Sequence, residues 1–164
     1  MTATEPSAFR DNHVTLGCFE VAGGVYAVDV SQIREVARWQ PVTPLPRAPA
    51  LIEGVVDMRG SVIPVVDLGR VLTGRPLEPG PATRIAIVEV EGLVMGLVVD
   101  AAIEVLPVAV SSLEDPPPLA TQAGYDTARA VIRRPDRAPI LVLSLEHVLE
   151  RIYRSALSNS EEPA

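Results

Sequence analysis

The sequence predicts an all-β chain built from two related small β units, with short helices that include one near the C-terminus. Three observations predict it. Runs rich in Val and Ile recur between about residues 14 and 145, separated by glycine and proline punctuation. The 16 prolines leave little room for long helices, because each removes a backbone donor and clashes with the preceding turn. The chain also repeats itself: residues 19–36 lie over residues 88–105 without a gap, and residues 63–72 lie over residues 140–149, in the same order.

The elements follow in order. Strands are expected at 14–21 and 25–28 around Ala22-Gly23-Gly24, where a hairpin turn needs positive φ. A short strand at 36–38 runs into the proline-spaced PVTPLP turn, and strands at 55–58 and 62–66 flank Arg59-Gly60. Asp67 is placed as the N-cap of a helix. Strands at 84–90 and 94–99 flank Glu91-Gly92, and a further strand covers 103–106. After the proline-rich insertion at 114–126 come strands at 128–132 and 140–143, then a helix opening after Ser144 and reading LEHVLERIYR, apolar at helical spacing. The polar ends, residues 1–12 and 155–164, are expected to be disordered tails around a domain of residues 13–154.

The repeat sorts structure from function. Glu20 meets Glu89, Gly23 meets Gly92, Glu35-Val36 meets Glu104-Val105, and Asp67 and Ser144 both fall in N-cap position. A feature kept in both halves builds the unit, whereas a feature in one half is free for another task. Arg59-Gly60 is of the second kind, since the corresponding place lies near Asp136-Arg137 in the loop RRPDRAP, without the glycine bend. A guanidinium pinned at a bend between apolar strands needs a carboxylate or carbonyl partner, or else it offers a rigid planar donor to another molecule.

Composition excludes several classes. With 164 residues and 48% apolar content the chain can bury one continuous core or two small ones. Asp57, Arg59 and Asp67 interrupt the longest apolar segment, which stays short of the ~18 residues a membrane span requires. The N-terminal stretch lacks a basic start and an apolar core, and the single Cys18 precludes an internal disulfide; a cytoplasmic location is expected. A net charge of −7, with every basic residue an arginine, disfavours nucleic acid and anionic lipid as partners.

Catalytic chemistry is missing. His13 and His147 have no cysteine or second histidine at ligand spacing, so neither a metal site nor a cofactor is expected. GRVLTGRP begins like a phosphate loop but places Arg75-Pro76 where Lys and Ser/Thr are required. No GxSxG, GxGxxG or HExxH string is present. Asp57, Asp67 and Asp100 are assigned to strand ends and caps, and Trp39 to a partly buried anchor. Such a β module works by its surface, with no enzymatic activity of its own.

The strings VYAVDVSQIREV, PVTPLPRAPALIEGVVDMRGSVIPVVDL, VMGLVVDAAIEV and PILVLSLEHVL together resemble the CheW-like coupling domains of bacterial chemotaxis, over roughly residues 14–152. The resemblance implies two SH3-like five-stranded barrels packed around a third core. It also implies an adaptor that couples methyl-accepting chemoreceptors to a CheA-type histidine kinase in membrane-associated arrays, with other CheW-like domains as further partners. By the same resemblance Glu35 pairs with Arg59, beside Gly60, and a receptor's helical hairpin tip docks in a groove drawing on Val30, Ile33, Val36 and Val99. Leu119 corresponds to a kinase-contacting loop position. The plainer readings are that Glu35 ends a strand, as Glu104 does, and that the four groove residues are ordinary core.

Two departures stand out: Ala130 or Val131 where the family keeps a glycine, and Ser144 where it keeps an aspartate. With the acidic, proline-rich insertion they leave open an alternative, a specialised protein that binds only kinase or only receptor in a non-flagellar pathway.

Overall fold

The computed structural model describes residues 12–117 and 127–161. Among them run ten strands: β1 (His13–Val21), β2 (Gly24–Asp29), β3 (Ile33–Arg38), β4 (Ile52–Met58), β5 (Ser61–Asp67), β6 (Arg84–Val90), β7 (Leu93–Val99), β8 (Ala101–Ala109), β9 (Ala128–Arg134) and β10 (Arg137–Leu143). Each expected strand is present, most of them a few residues longer than its apolar run. Three hairpins turn on two consecutive residues of positive φ: Ala22-Gly23, Arg59-Gly60 and Glu91-Gly92. The fourth turns on Pro135-Asp136, where only Asp136 has positive φ, because the proline ring holds φ negative.

The strands form two five-stranded sheets, ordered β8-β1-β2-β10-β9 and β3-β6-β7-β5-β4. The sheets do not coincide with the two halves of the sequence. Each combines the first hairpin of one half with the third strand and second hairpin of the other. The registers match across the repeat: Cys18 faces Glu104 and Phe19 faces Ala102 in one sheet, as Ile87 faces Glu35 and Val88 faces Ile33 in the other. Both ladders skip one residue, Ile103 in β8 and Arg34 in β3, so even the bulge is shared. The halves are therefore interleaved about a pseudo-two-fold axis.

Each sheet curls on itself, and an isolated bridge joins the chain beyond one edge strand to the other edge. Thr43 pairs with Val55, exchanging bonds of 2.9 and 2.8 Å, and Glu114 pairs with Val131 at 2.9 and 2.8 Å. The resulting small barrels have separate cores. Leu16, Cys18, Ala27, Ile132, Ile140 and Val142 fill one; Val56, Ile63, Val65, Ile85, Ile87 and Val98 fill the other. A third, larger core lies between them, built from Phe19, Val21, Val28, Val88, Leu97 and the buried face of the last helix. Trp39 packs partly buried against the second barrel core, as an anchor.

Two helices close the halves. Asp67 caps α1 (Leu68–Thr73), accepting from Arg70 N at 3.1 Å, and Gly74 ends it in the left-handed conformation. Ser144 Oγ accepts from His147 N at 3.2 Å at the start of α2 (Leu145–Glu161). This helix runs past the expected boundary into residues 155–161, where the sequence predicts a disordered tail. The correction has a physical reason. No glycine or proline interrupts the chain before Pro163, Ile152 is buried in the central core, and Ser155 Oγ accepts from Leu51 N at 3.4 Å.

Candidate functional site

Arg59 occupies the tip of the β4–β5 hairpin at φ 56, where Gly60 follows at φ 84 in open space. Asp57 Oδ1 accepts from Gly60 N at 3.2 Å and holds the turn. The guanidinium is not buried: its side chain is 79% exposed. It reaches across to Glu35 on β3, donating through Nη2 to Oε2 at 3.0 Å while Nη1 lies 3.0 Å from Oε1. The two-pronged geometry is the one a planar guanidinium makes with a carboxylate. The structure thus brings Glu35, Arg59 and Gly60 together, with Met58, Val62 and Val94 lining the recess beside them.

A second recess lies between the barrels. This cleft of about 280 Å³ is lined by Val30, Ile33, Val36 and by residues 102–105 of β8, with Gly17, Cys18 and Phe19 as floor. Gly17 leaves room there for Ile33, whose Cδ1 would lie 2.7 Å from an added Cβ and would have to shift. Val36, Ile103 and Val105 are 42%, 45% and 66% exposed, so an apolar surface is presented outward on two edge strands. Of the residues expected in a groove, Val30, Ile33 and Val36 line this cleft.

Val99 does not. It is fully buried in the central core, since β7 is a middle strand of its sheet and both of its faces are covered. Its expected place in the groove is corrected to a core position. Leu119 lies outside the described residues. The signal for the missed half of the cleft was in the repeat: Ile103, Glu104 and Val105 are the counterparts of Arg34, Glu35 and Val36.

Asp67 and Asp100, the other carboxylates considered for acid/base chemistry, have structural partners. Asp67 caps α1 and also accepts from Leu77 N at 2.9 Å, while Asp100 Oδ2 accepts from Ala22 N at 2.7 Å. Cys18 is buried in a barrel core; burial, and then the negative charge of Glu104, push its thiol pKa up, against a smaller opposing effect of Arg134. Among the described residues no three His, Cys, Asp or Glu side chains gather as a metal site, and no helix is long and apolar enough to cross a membrane.

Comparison with known proteins agrees with this geometry. Residues 15–153 match the CheW-like domain family. The chain is 33% identical to "Chemotaxis protein CheW" of Rhizobium meliloti over 149 residues, covering 88% of this chain and 96% of that protein. It is 31% identical to "Protein FrzA" of Myxococcus xanthus over 142 residues, 86% of this chain and 88% of that one. Among solved structures it is similar to the scaffolding protein TtCheW of Thermoanaerobacter tengcongensis, with a TM-score of 0.74, 31% identity, and coverage of 82% and 86% of the two chains.

Proposed function

Because the chain belongs to the CheW-like domain family, we propose that it is a chemosensory adaptor, coupling methyl-accepting chemoreceptors to a CheA-type histidine kinase by protein-protein contacts. The observation that carries this reading is the apolar cleft between the barrels, edged by Val36, Ile103 and Val105 and adjoined by the Glu35–Arg59 pair. A cleft of that kind suits the apolar stripe of a helix, which the four-helix tip of a chemoreceptor presents. Apolar contact supplies affinity, and the fixed hairpin beside it supplies geometry. The kinase regulatory domain then engages a surface separate from the cleft, one that draws on Leu119. Association with the membrane array is through these partners.

Pull-downs test it: the protein should retain both a cytoplasmic fragment of a chemoreceptor and a kinase regulatory domain from the same genome. Retention of neither refutes the adaptor role. Retention of one alone identifies the specialised alternative, and kinase assays with and without the protein then separate activation from sequestration.

A further inference from the structure

The cleft has a floor from β1 alone, Gly17 to Phe19, but its rim is built from the repeat-related strands β3 and β8, and this creates a problem of direction. Ile33 and Ala102 are equivalent by register, as are Val36 and Val105, so the two edges of the cleft present like apolar surfaces. Burial of apolar surface is non-directional. Apolar contact at such a rim therefore does little to stop a docked helix from exchanging its ends. A signal that depends on contact geometry cannot tolerate that exchange.

Charge breaks the symmetry. Glu35 and Glu104 occupy equivalent positions, opposite Ile87 and Cys18. Glu35 has both oxygens engaged by Arg59. Glu104 is exposed and lines the cleft, and its side chain makes no hydrogen bond or ion pair among the described residues. The arginine that could answer it from the same barrel, Arg134, donates through Nε and Nη2 to Ala138 O at 3.0 and 2.8 Å. The second hairpin carries Pro135-Asp136 where the first carries Arg59-Gly60, so no brace comes from there. Of the two equivalent carboxylates Glu104 alone lines the cleft, and its side chain is without an ion pair among the described residues.

We infer that Glu104 fixes the direction of the helix docked in this cleft by taking one cationic side chain of the partner at the β8 edge. The occupant is an amphipathic helix with an apolar stripe and a single Arg or Lys placed to meet Glu104. This rests on the cleft being the receptor-binding site. A carboxylate at the rim of an apolar contact contributes mainly discrimination between orientations and partners, because the wrong orientation leaves it covered and unpaired.

The test uses the full chain and a soluble chemoreceptor cytoplasmic fragment from the same genome, with affinity measured by calorimetry. Glu104→Gln should weaken binding about tenfold, and Glu104→Arg more. The basic residues of the fragment's tip are then changed one at a time to Glu; Glu104→Arg should restore binding to one of these and to no other. The inference is overturned if Glu104→Gln binds within twofold of the parent while Val36→Asp abolishes binding, or if Glu104→Arg rescues none or several of the changed fragments. Normal binding by Val36→Asp would instead refute the cleft as the receptor site, and this inference with it.

Discussion

Arg59 and Glu35 join the two ends of one sheet. Glu35 lies on β3, the first strand in the order β3-β6-β7-β5-β4, and Arg59 lies at the tip of the hairpin formed by the last two. Their ion pair, 3.0 Å on each prong, is a clasp across the seam at which the barrel closes. The seam is already held by the Thr43–Val55 bridge and by the buried core behind it. The clasp therefore orients the surface more than it supports the fold.

That distinction is measurable. The pair is largely solvated, so Arg59→Ala and Glu35→Ala should each lower stability by no more than about 1 kcal/mol. Both variants should bind the kinase regulatory domain normally but lose receptor control of kinase activity. The double variant should resemble either single one, a non-additivity that a double-mutant cycle reads directly. Global unfolding of either single variant in a thermal melt would show the pair to be chiefly structural.

Gly54 marks the same seam. Its φ is 154, and an added Cβ would overlap the Thr43 carbonyl oxygen and lie 2.6 Å from its carbonyl carbon, both backbone atoms with no room to withdraw. Gly54→Ala should cost about 2–3 kcal/mol in urea denaturation, because the bridge must open to admit one methyl group.

Asp67 serves two backbone donors while itself buried, Arg70 N through Oδ1 and Leu77 N through Oδ2. Asp67→Ala should destabilise by about 2 kcal/mol, more than loss of a simple exposed cap, because Leu77 N is left without its acceptor. Asp67→Asn should recover part of that loss in the same denaturation measurement.

Cys18 gives the pH dependence. Its thiol pKa is raised above the ordinary 9.0 by burial first and by Glu104 second. The unfolded chain releases this proton before the native protein does, so stability is undiminished below about pH 9 and declines as pH rises from there through the native value. Alkylation by iodoacetamide at pH 8 should be slow in the native protein and fast once it unfolds, with the rate following denaturant concentration.

Much of this architecture was legible in the sequence. The hairpin turns were written in Gly23, Gly60 and Gly92, the helix starts in Asp67 and Ser144, and the strands in their β-branched runs. What could not be read was which strand pairs with which. Periodicity records whether Cys18 faces inward, but not that it lies beside Glu104 from the other half of the chain. Val99 was assigned to the groove by the family resemblance, and the continuous apolar run of β7 carries no alternation to tell a two-sided core strand from a surface. The same limit hid the β8 edge of the cleft, since Ile103 and Val105 look like core residues until the sheet order makes β8 an edge. The Glu35–Arg59 pair was accessible only through family resemblance, because nothing in their spacing along the chain implies contact.

The central claim is that receptor and kinase are held at once, on separate surfaces. A competition measurement tests it most directly: the kinase regulatory domain, labelled and bound to this protein, is titrated with a chemoreceptor cytoplasmic fragment from the same genome. If the two surfaces are separate, saturating fragment leaves the kinase domain bound and a ternary complex sediments. Displacement of the kinase domain by the fragment would contradict the account.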